Sequence, residues 1–240
     1  MFSTYKLGLT PHNPVRVARV PTLRDVLDPV FAQTPRDWAQ GLLWDDDVLG
    51  NDVAADCGPA ALVNWLKLMG LVVGSPLPLT TADAFALYTA LTGWDGVPGS
   101  PSDTGVELLS LMQYAVTTGV AGTTLDGYLA VPLLDQVHLA TAVDLVGPLV
   151  VGLSLPVQCQ STDYWDYQPG MVRRSWGGHA VLLFSVSPGV YVIKTWGRTV
   201  RVTDAFLEAF GDDAYLPLHR ALRAPLGIDW ERLRAILAEV

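Results

Sequence analysis

The pattern of hydrophobic positions changes about halfway along the 240 residues. In the first half, apolar residues recur every three to four positions, which predicts amphipathic helices. The clearest helix runs from Asp56, its predicted N-cap, to Gly70, which marks its end. One face of this helix carries a row of apolar side chains: Leu62, Trp65, Leu66 and Met69.

The same period predicts three more helices in this part of the chain. One spans Thr81 to Leu91 behind a cap at Thr80 or Thr81, another runs from a Ser102-Asp103-Thr104 cap to Thr118, and the last spans Leu133 to Leu145. Weaker patterns near the termini predict helices at Leu23–Gln33 and, after Gly227-Ile228-Asp229, at Trp230–Val240.

The second half contains continuous apolar runs that are typical of buried strands. Pro148–Leu155 and Gly178–Val186 are two such runs, and Val190–Lys194 follows the second across a Ser187-Pro188-Gly189 turn. Tyr215–Leu218 is a further candidate strand. Helices followed by hairpin-linked strands predict an α+β fold, with a helical layer packed on an antiparallel sheet and a cleft where the layers meet.

The composition suggests one main domain. Residues 1–40 are rich in Pro and Arg and are predicted to form an N-terminal arm, whereas residues 41–240 form a single domain without internal repeats. The net charge is −9, so a phosphate backbone or an anionic membrane would be repelled. We therefore expect no nucleic-acid or membrane partner.

The N-terminus and the cysteine content indicate where the protein resides. Residues 1–6 lack the basic region and apolar core of a signal peptide. Two cysteines, Cys57 and Cys159, are fewer than a disulfide scaffold of this size would use, although one disulfide between them stays open. We expect a cytoplasmic protein, or one assembled into a particle inside a cell.

Cys57 is the first candidate for chemistry. At the start of a helix, unpaired backbone N–H groups and the helix dipole stabilise a thiolate, although the neighbouring Asp56 opposes this. A lone cysteine at such a position is more often a small buried residue. Cys57 therefore needs a partner before it indicates catalysis.

His179 is the best candidate partner. Of the four histidines (His12, His138, His179 and His219), it alone opens an apolar strand directly after two glycines. Glycines at this place allow another backbone to approach closely, as a substrate cleft requires. A hairpin about Ser187 and Pro188 would also bring Thr195 and Trp196 opposite the imidazole. Taken alone, His179 could still be a strand histidine that is simply hydrogen-bonded.

Together the two sites resemble a family. The segment Asn51–Leu62, which contains Asp56-Cys57-Gly58-Pro59, is similar to the nucleophile helix of papain-like cysteine peptidases, especially the branch with bacteriocin leader-processing peptidases. Gly178-His179-Ala180-Val181, followed by Ile193-Lys194-Thr195-Trp196-Gly197, resembles the strands that carry the papain histidine and its Asn-Ser-Trp-Gly. Residues 103–109 and 149–156 resemble papain-like proteins of bacteriophages and actinobacteria.

The resemblance implies a role for each matching residue. Cys57 would be the nucleophile and His179 its base, while Thr195 takes the place of the orienting asparagine. Asn51 stands where the family has an oxyanion-binding glutamine. Trp196, Gly178 and Gly58 would line and shield the cleft.

The implied activity is cleavage of peptide or isopeptide bonds by acyl transfer, without a cofactor. An alternative stays open, in which the protein is a structural component on a papain-like fold, for example a virion protein that contacts other virion proteins. Because the sequence begins at Met1, we expect that no pro-segment has been removed, which favours this alternative slightly.

Other kinds of site fit the sequence less well. Asp45, Asp47, Gly50 and Asp56 faintly resemble a calcium loop, but Leu49 occupies a ligand position and the closing residue is not Glu. No zinc spacing, phosphate-binding loop or Gly-x-Ser-x-Gly elbow occurs. We therefore expect no metal site.

Overall fold

The computed structural model describes residues 5–17, 20–25, 35–219 and 221. The fold is α+β, as predicted, with helices packed on a largely antiparallel sheet. The predicted helix Trp230–Val240 and residues 26–33 of the predicted helix Leu23–Gln33 lie outside the described residues. Of the latter, Leu23–Asp25 forms a short 3-10 turn.

The described residues contain six α-helices: α1 (Pro14–Val17), α2 (Cys57–Val72), α3 (Thr81–Thr92), α4 (Leu108–Thr117), α5 (Gln136–Thr141) and α6 (Asp204–Phe210). The helix α2 is buried from Cys57 to Gly70, which explains its nearly continuous run of apolar and small residues. Thr80 caps α3, as predicted, together with the Asp83 carboxylate, which accepts from the Thr80 N–H at 2.8 Å. The predicted helix Leu133–Leu145 starts later, at Gln136, and its last part, Ala142–Val146, is a π-helical turn.

The predicted cap of α4 is wrong. The helix begins at Leu108, because Gly105 adopts a φ of +77° that interrupts helical geometry. Asp103 instead ties three pieces of chain together. Its Oδ1 accepts from the Ala55 N–H at 2.8 Å and the Tyr88 hydroxyl at 2.9 Å, and its Oδ2 accepts from the Gly99 N–H at 2.8 Å.

In the part of the chain that the structure describes, the sheet has eight strands: β1 (Arg36–Asp37), β2 (Gly127–Ala130), β3 (Leu149–Leu155), β4 (Tyr164–Trp165), β5 (Gly177–Ser187), β6 (Val190–Thr195), β7 (Arg198–Thr203) and β8 (Gly211–Leu218). Their order is β2-β8-β3-β5-β6-β7-β4, with β1 added on β5, and only the β4–β7 pair is parallel. The predictions of β3, β5, β6 and β8 are confirmed. Six elements were not predicted from the sequence: α1, α6, β1, β2, β4 and β7.

Packing of α2 on the sheet brings the two candidate motifs together. The α2 residues contact β3 and β5, and the Trp65 indole donates to the Pro148 carbonyl at 3.0 Å. In β5, His179 pairs with Leu153 of the central strand β3, all of whose residues are buried. The first residue of α2 therefore lies beside the first residues of β5. No helix in the described ranges is long and apolar enough to cross a membrane.

The residues before 41 also pack on this body where the structure describes them. Arg36 and Asp37 pair with β5, and the Trp38 indole donates to the Val143 carbonyl at 2.6 Å. Further toward the N-terminus, Leu9 makes a parallel bridge with Val106. The division into an arm and a domain stays a prediction, but these parts of the predicted arm lie against the domain.

Candidate active site

Cys57 opens α2, and its side chain is almost completely buried. The backbone N–H of Ala180 points to its Sγ atom at 3.3 Å, and the N–H groups of Gly8 and Gly58 also stabilise the sulfur. Burial outweighs these contacts and raises the pKa of the thiol to about 12. In this conformation, shielding of the sulfur from water therefore opposes the thiolate that the helix start favours.

His179 is buried in β5, directly before the residue whose N–H contacts the Cys57 sulfur. Its Nε2 lies 2.6 Å from the Thr195 hydroxyl oxygen. Its Nδ1 is buried and has no hydrogen-bond partner, so no hydrogen bond joins it to the sulfur in this conformation. Burial lowers the pKa of the imidazole to about 3, and the ring is therefore neutral here.

Trp196 stacks on the His179 ring, with centroids 4.0 Å apart and planes 12° apart. It stands in the tight β6–β7 turn with a φ of +46°, next to Gly197, where a Cβ would overlap the Asp46 carbonyl. This crowding fixes the turn that presents the indole. One ring face of the imidazole is thereby protected from water, as the sequence leads us to expect of a shielding residue.

Asn51 lies in the turn before α2 and is buried. Its Nδ2 donates to the Ala54 carbonyl at 3.2 Å, which occupies one of the two amide hydrogens. Asp56 lies close by, with both carboxyl oxygens buried and without a hydrogen-bond partner of standard geometry. Burial raises the pKa of Asp56 well above its ordinary value, and the charge that Asp56 carries when ionised adds to the rise of the Cys57 pKa.

The two glycines of the candidate site stand where other groups approach closely. A Cβ on Gly58 would lie 2.5 Å from Cγ2 of Val106. A Cβ on Gly178 would overlap the Leu9 carbonyl oxygen and lie 2.7 Å from Nη2 of Arg174. Close backbone approach at Gly178 is therefore real, and the backbone that approaches belongs to this chain.

Residues Tyr5–Thr10, here called the cleft segment, lie across the site. The Leu9 N–H donates to the Gly178 carbonyl at 3.1 Å. Val106 donates to the Gly8 carbonyl at 2.7 Å and accepts from the Thr10 N–H at 2.9 Å. These bonds hold an extended strand between β5 and the loop before α4.

Gly8 is the residue of the cleft segment whose backbone N–H contacts the Cys57 sulfur. A Cβ at Gly8 would overlap the Ala55 carbonyl, and a Cβ at Gly105 would overlap the Gly8 carbonyl. Only glycine fits at both positions. The segment thus covers Cys57 and shields its sulfur from solvent.

The ends of the cleft segment are anchored by polar and aromatic contacts. Tyr5 stacks on Trp196 at 4.5 Å between ring centroids, and the Trp196 indole donates to the Lys6 carbonyl at 3.2 Å. At the other end, Arg174 donates to the Leu9 carbonyl at 2.6 Å. Residues 5–10 belong to the predicted N-terminal arm, and no local pattern in the sequence indicates where they lie.

The acidic loop that resembles a calcium site binds cations of the protein instead. Lys67 lies 2.8 Å from Asp45 and 4.0 Å from Asp47, and Lys194 donates to the Asp45 carbonyl. In the part of the chain that the structure describes, no group of three or more His, Cys, Asp and Glu residues is placed to hold a metal ion. Cys57 and Cys159 are both free and buried, and no disulfide joins them.

No family model and no curated protein matches the sequence. Solved structures of cysteine proteases match the fold. Xylellain from Xylella fastidiosa shares 14% identity at a TM-score of 0.69, over 91% of this chain and 97% of that one.

Two further cysteine proteases have a similar fold. The Carica candamarcensis protease CMS1MS2, solved with E-64, gives a TM-score of 0.55 at 15% identity over 77% of this chain and 98% of that one. Digestive procathepsin L 3 of Tenebrio molitor gives a TM-score of 0.57 at 17% identity, over 85% of this chain and 77% of that one. The chain therefore has the papain-like fold. These similarities do not bear on the predicted likeness to phage or bacteriocin-processing proteins.

Proposed function

We propose that the chain is a papain-like thiol hydrolase of peptide or isopeptide bonds, described here in a closed, latent conformation. The observation that carries the proposal is the arrangement around His179. One ring nitrogen contacts Thr195, one ring face stacks on Trp196, and the next residue along the strand contacts the Cys57 sulfur. A nucleophile, a base and a group that orients the base are the parts that acyl transfer requires.

The first step is departure of the cleft segment. Its removal admits water, which relieves the burial that raises the Cys57 pKa and lowers the His179 pKa. The pKa of Cys57 then falls and the pKa of His179 rises, and both changes favour proton transfer from the sulfur to the imidazole. The latent conformation keeps both groups neutral and unreactive.

Catalysis would then follow acyl transfer. His179 takes the proton from Cys57, and the thiolate attacks the carbonyl carbon of the scissile bond. The tetrahedral intermediate collapses as His179 protonates the leaving amine. Water, deprotonated by His179, hydrolyses the thioester and restores the Cys57 thiol.

The oxyanion needs donors that point to the attacked carbonyl. The backbone N–H of Cys57 and the side-chain amide of Asn51, which in the closed form contacts the Ala54 carbonyl and the Asp56 carboxyl, are our candidates. Thr195 keeps the imidazole oriented through its hydroxyl, and Trp196 excludes water from that pair. No cofactor is needed for this chemistry.

The substrate class follows from the fold and the charge. The similar proteins are proteases, which supports a peptide or protein substrate. The negative net charge disfavours nucleic acid and anionic membrane surfaces as partners. We propose a location in the cytoplasm or in a particle assembled inside a cell.

A second candidate is a structural component on the same fold, such as a virion protein that contacts other virion proteins. Burial of Cys57 and His179 beneath the chain's own backbone favours it. Under this alternative, the cleft segment never leaves and the catalytic residues are vestigial or act once.

Labelling with a thiol-reactive peptide aldehyde or epoxide separates the two candidates. We expect the variant Gly8→Ala, in which the new Cβ overlaps the Ala55 carbonyl, to expose Cys57 and react with the probe. Gly147→Ala is the matched control, because its Cβ would lie an ordinary 3.7 Å from Leu216. Failure of the probe to label Cys57 in folded Gly8→Ala would favour the structural candidate.

A further inference from the structure

Residues 45–48, here called the acidic turn, contact one lysine from each layer of the fold. Lys67 is the only charged residue of α2, and its Nζ lies 2.8 Å from a carboxylate oxygen of Asp45. Lys194 of β6 donates to the backbone carbonyl of the same aspartate. Asp45 therefore joins α2, which begins with the candidate nucleophile, to the strand β6 of the sheet.

Both lysines are buried, which makes them depend on the acidic turn. Lys67 is 8% exposed and Lys194 is 4% exposed. A buried ammonium group is costly unless it is paired and hydrogen-bonded. Lys194 lies over the ring of Trp44, with Nζ 4.0 Å from the ring centroid, and burial lowers its pKa while the charge of Asp45 opposes that change. The acidic turn thus supplies the groups that compensate both buried charges.

The acidic turn continues directly into the residues that place Asn51. Leu49 is completely buried with a φ of +57°, a left-handed conformation that is costly for a leucine. Its N–H donates to the Asp47 carboxylate at 3.0 Å, and the N–H of Asn51 donates to the Val48 carbonyl at 3.2 Å. A strained backbone persists only where its surroundings hold it. Contacts of the acidic turn therefore help to fix the backbone that presents Asn51.

The acidic turn also packs against the turn that carries the shielding tryptophan. The Asp46 carbonyl approaches Gly197 so closely that a Cβ on this glycine would overlap the carbonyl oxygen. Gly197 follows Trp196, whose indole stacks on the His179 ring. A shift of the acidic turn would therefore change the setting of both Asn51 and Trp196.

We propose that Lys67 and Lys194 are positioning residues of this hydrolase, which hold the acidic turn so that the Asn51 amide stays aligned with the oxyanion. The proposal rests on the proposed hydrolase function. Both lysines act through the turn and take no part in proton transfer. Loss of either lysine, or of the Asp45 carboxylate, should lower kcat and leave KM nearly unchanged, because an oxyanion donor acts in the transition state. A purely structural ion pair would change stability alone.

The first test needs no reaction. Amide hydrogen exchange at Leu49 and Asn51 is measured by NMR in the wild-type protein, in Lys67→Met and in Asp45→Asn. We expect exchange at both amides to become about fivefold faster or more in the two variants, because the turn opens more often. Asp135→Asn is the matched control, since it breaks an ion pair outside the site and should leave both amides unchanged. Unchanged exchange in Lys67→Met and in Asp45→Asn overturns the proposal.

The second test measures hydrolysis of a peptide substrate in the Gly8→Ala background. We expect Lys67→Met to lower kcat about tenfold without changing KM, and Lys67→Arg, which keeps the charge, to retain most of the activity. In Asn51→Ala, the same Lys67→Met substitution should change kcat by less than about twofold, because the donor that the lysine positions has been removed.

The outcomes of the second test separate the positioning role from the hydrolase function. An equal fall in kcat with and without Asn51, or an unchanged kcat in Lys67→Met, overturns the positioning role and leaves the hydrolase function standing. If Gly8→Ala hydrolyses no peptide, the hydrolase function fails, and hydrogen exchange in the first test then decides by itself whether Lys67 holds the acidic turn.

Discussion

The hydroxyl oxygen of Thr195 lies 2.6 Å from Nε2 of His179, at the end of the strand that forms a hairpin with the histidine strand. This contact fixes the ring with its other nitrogen, Nδ1, left without a partner. In the opened protein, Nδ1 is the atom that we expect to take the Cys57 proton. Most of the following experiments use Gly8→Ala as the opened background, since the closed form blocks the sulfur.

Thr195→Ala should reduce kcat/KM on a peptide substrate without abolishing hydrolysis. Stacking on Trp196 keeps the ring partly oriented after the hydroxyl is removed. The loss should be smaller than the roughly 10²- to 10⁴-fold loss expected for His179→Ala, which removes the base. Steady-state kinetics of both variants decide this, with Thr195→Ser as the matched control. Equal losses would mean that Thr195 does more than orient the ring.

Asn51→Ala should lower turnover by about a hundredfold or more, because it removes one oxyanion donor. Asn51→Gln restores an amide at the same place and should keep most of the activity or raise it. The measurement is kcat at saturating substrate, together with the melting temperature of each variant. If neither substitution changes kcat, Asn51 acts only in the turn through its bond to Ala54.

Gly8→Ala should raise the rate of Cys57 labelling by iodoacetamide at neutral pH, because the new Cβ forces the segment away from Ala55. Gly147→Ala should leave the rate unchanged. Peptide mapping by mass spectrometry gives the rate at each cysteine. A Gly8→Ala protein that is folded and still unlabelled would mean that the segment is not what shields the sulfur.

Asp213→Asn should stabilise the closed protein above pH 7 and have little effect near pH 4. The carboxyl has a folded pKa of about 7 against an ordinary value of 3.8, so the folded state binds the extra proton between those pH values. Stability contributed by this group is therefore lost as the pH rises from about 4 to 7.

The stability that the wild-type protein loses in this way is at most about 4 kcal/mol, because the pKa of Asp213 rises from 3.8 to about 7 on folding. Chemical unfolding of both proteins from pH 4 to pH 8.5 gives the difference directly. The pKa of His179 is shifted in the opposite direction, so its contribution to stability is lost as the pH falls from about 6.5 toward 3. This contribution is equal in the wild-type protein and in Asp213→Asn, and it therefore cancels from the difference between them. A constant difference across the whole range would contradict the raised pKa of Asp213.

Local patterns were sufficient to predict the elements that carry the candidate site. The apolar period of α2 and the turn at Ser187 and Pro188 are encoded by neighbouring residues, so the helix start at Cys57 and the hairpin could be predicted. The alternating Arg198–Thr203 segment was missed, although its period of two is typical of a half-buried strand.

Long-range packing could not be predicted in this way. The position of the cleft segment depends on Val106 and Gly178, which are distant in sequence from Gly8 and Leu9. The role of Asp103 in joining Ala55, Tyr88 and Gly99 is equally non-local, and it replaced the predicted helix cap. The raised Cys57 pKa follows from burial by the same segment, which no local pattern indicates.

The central claim is that Cys57 and His179 act as a pair once the cleft is open. Iodoacetamide labelling of Gly8→Ala against pH tests it most directly, with Cys159, buried and with its pKa raised to about 12 by burial, as an internal reference. We expect labelling of Cys57 with an apparent pKa below the ordinary value of about 8.5. It also predicts that His179→Ala in the same background moves this pKa upward. Labelling of both cysteines only at alkaline pH, unchanged by His179→Ala, would contradict the claim.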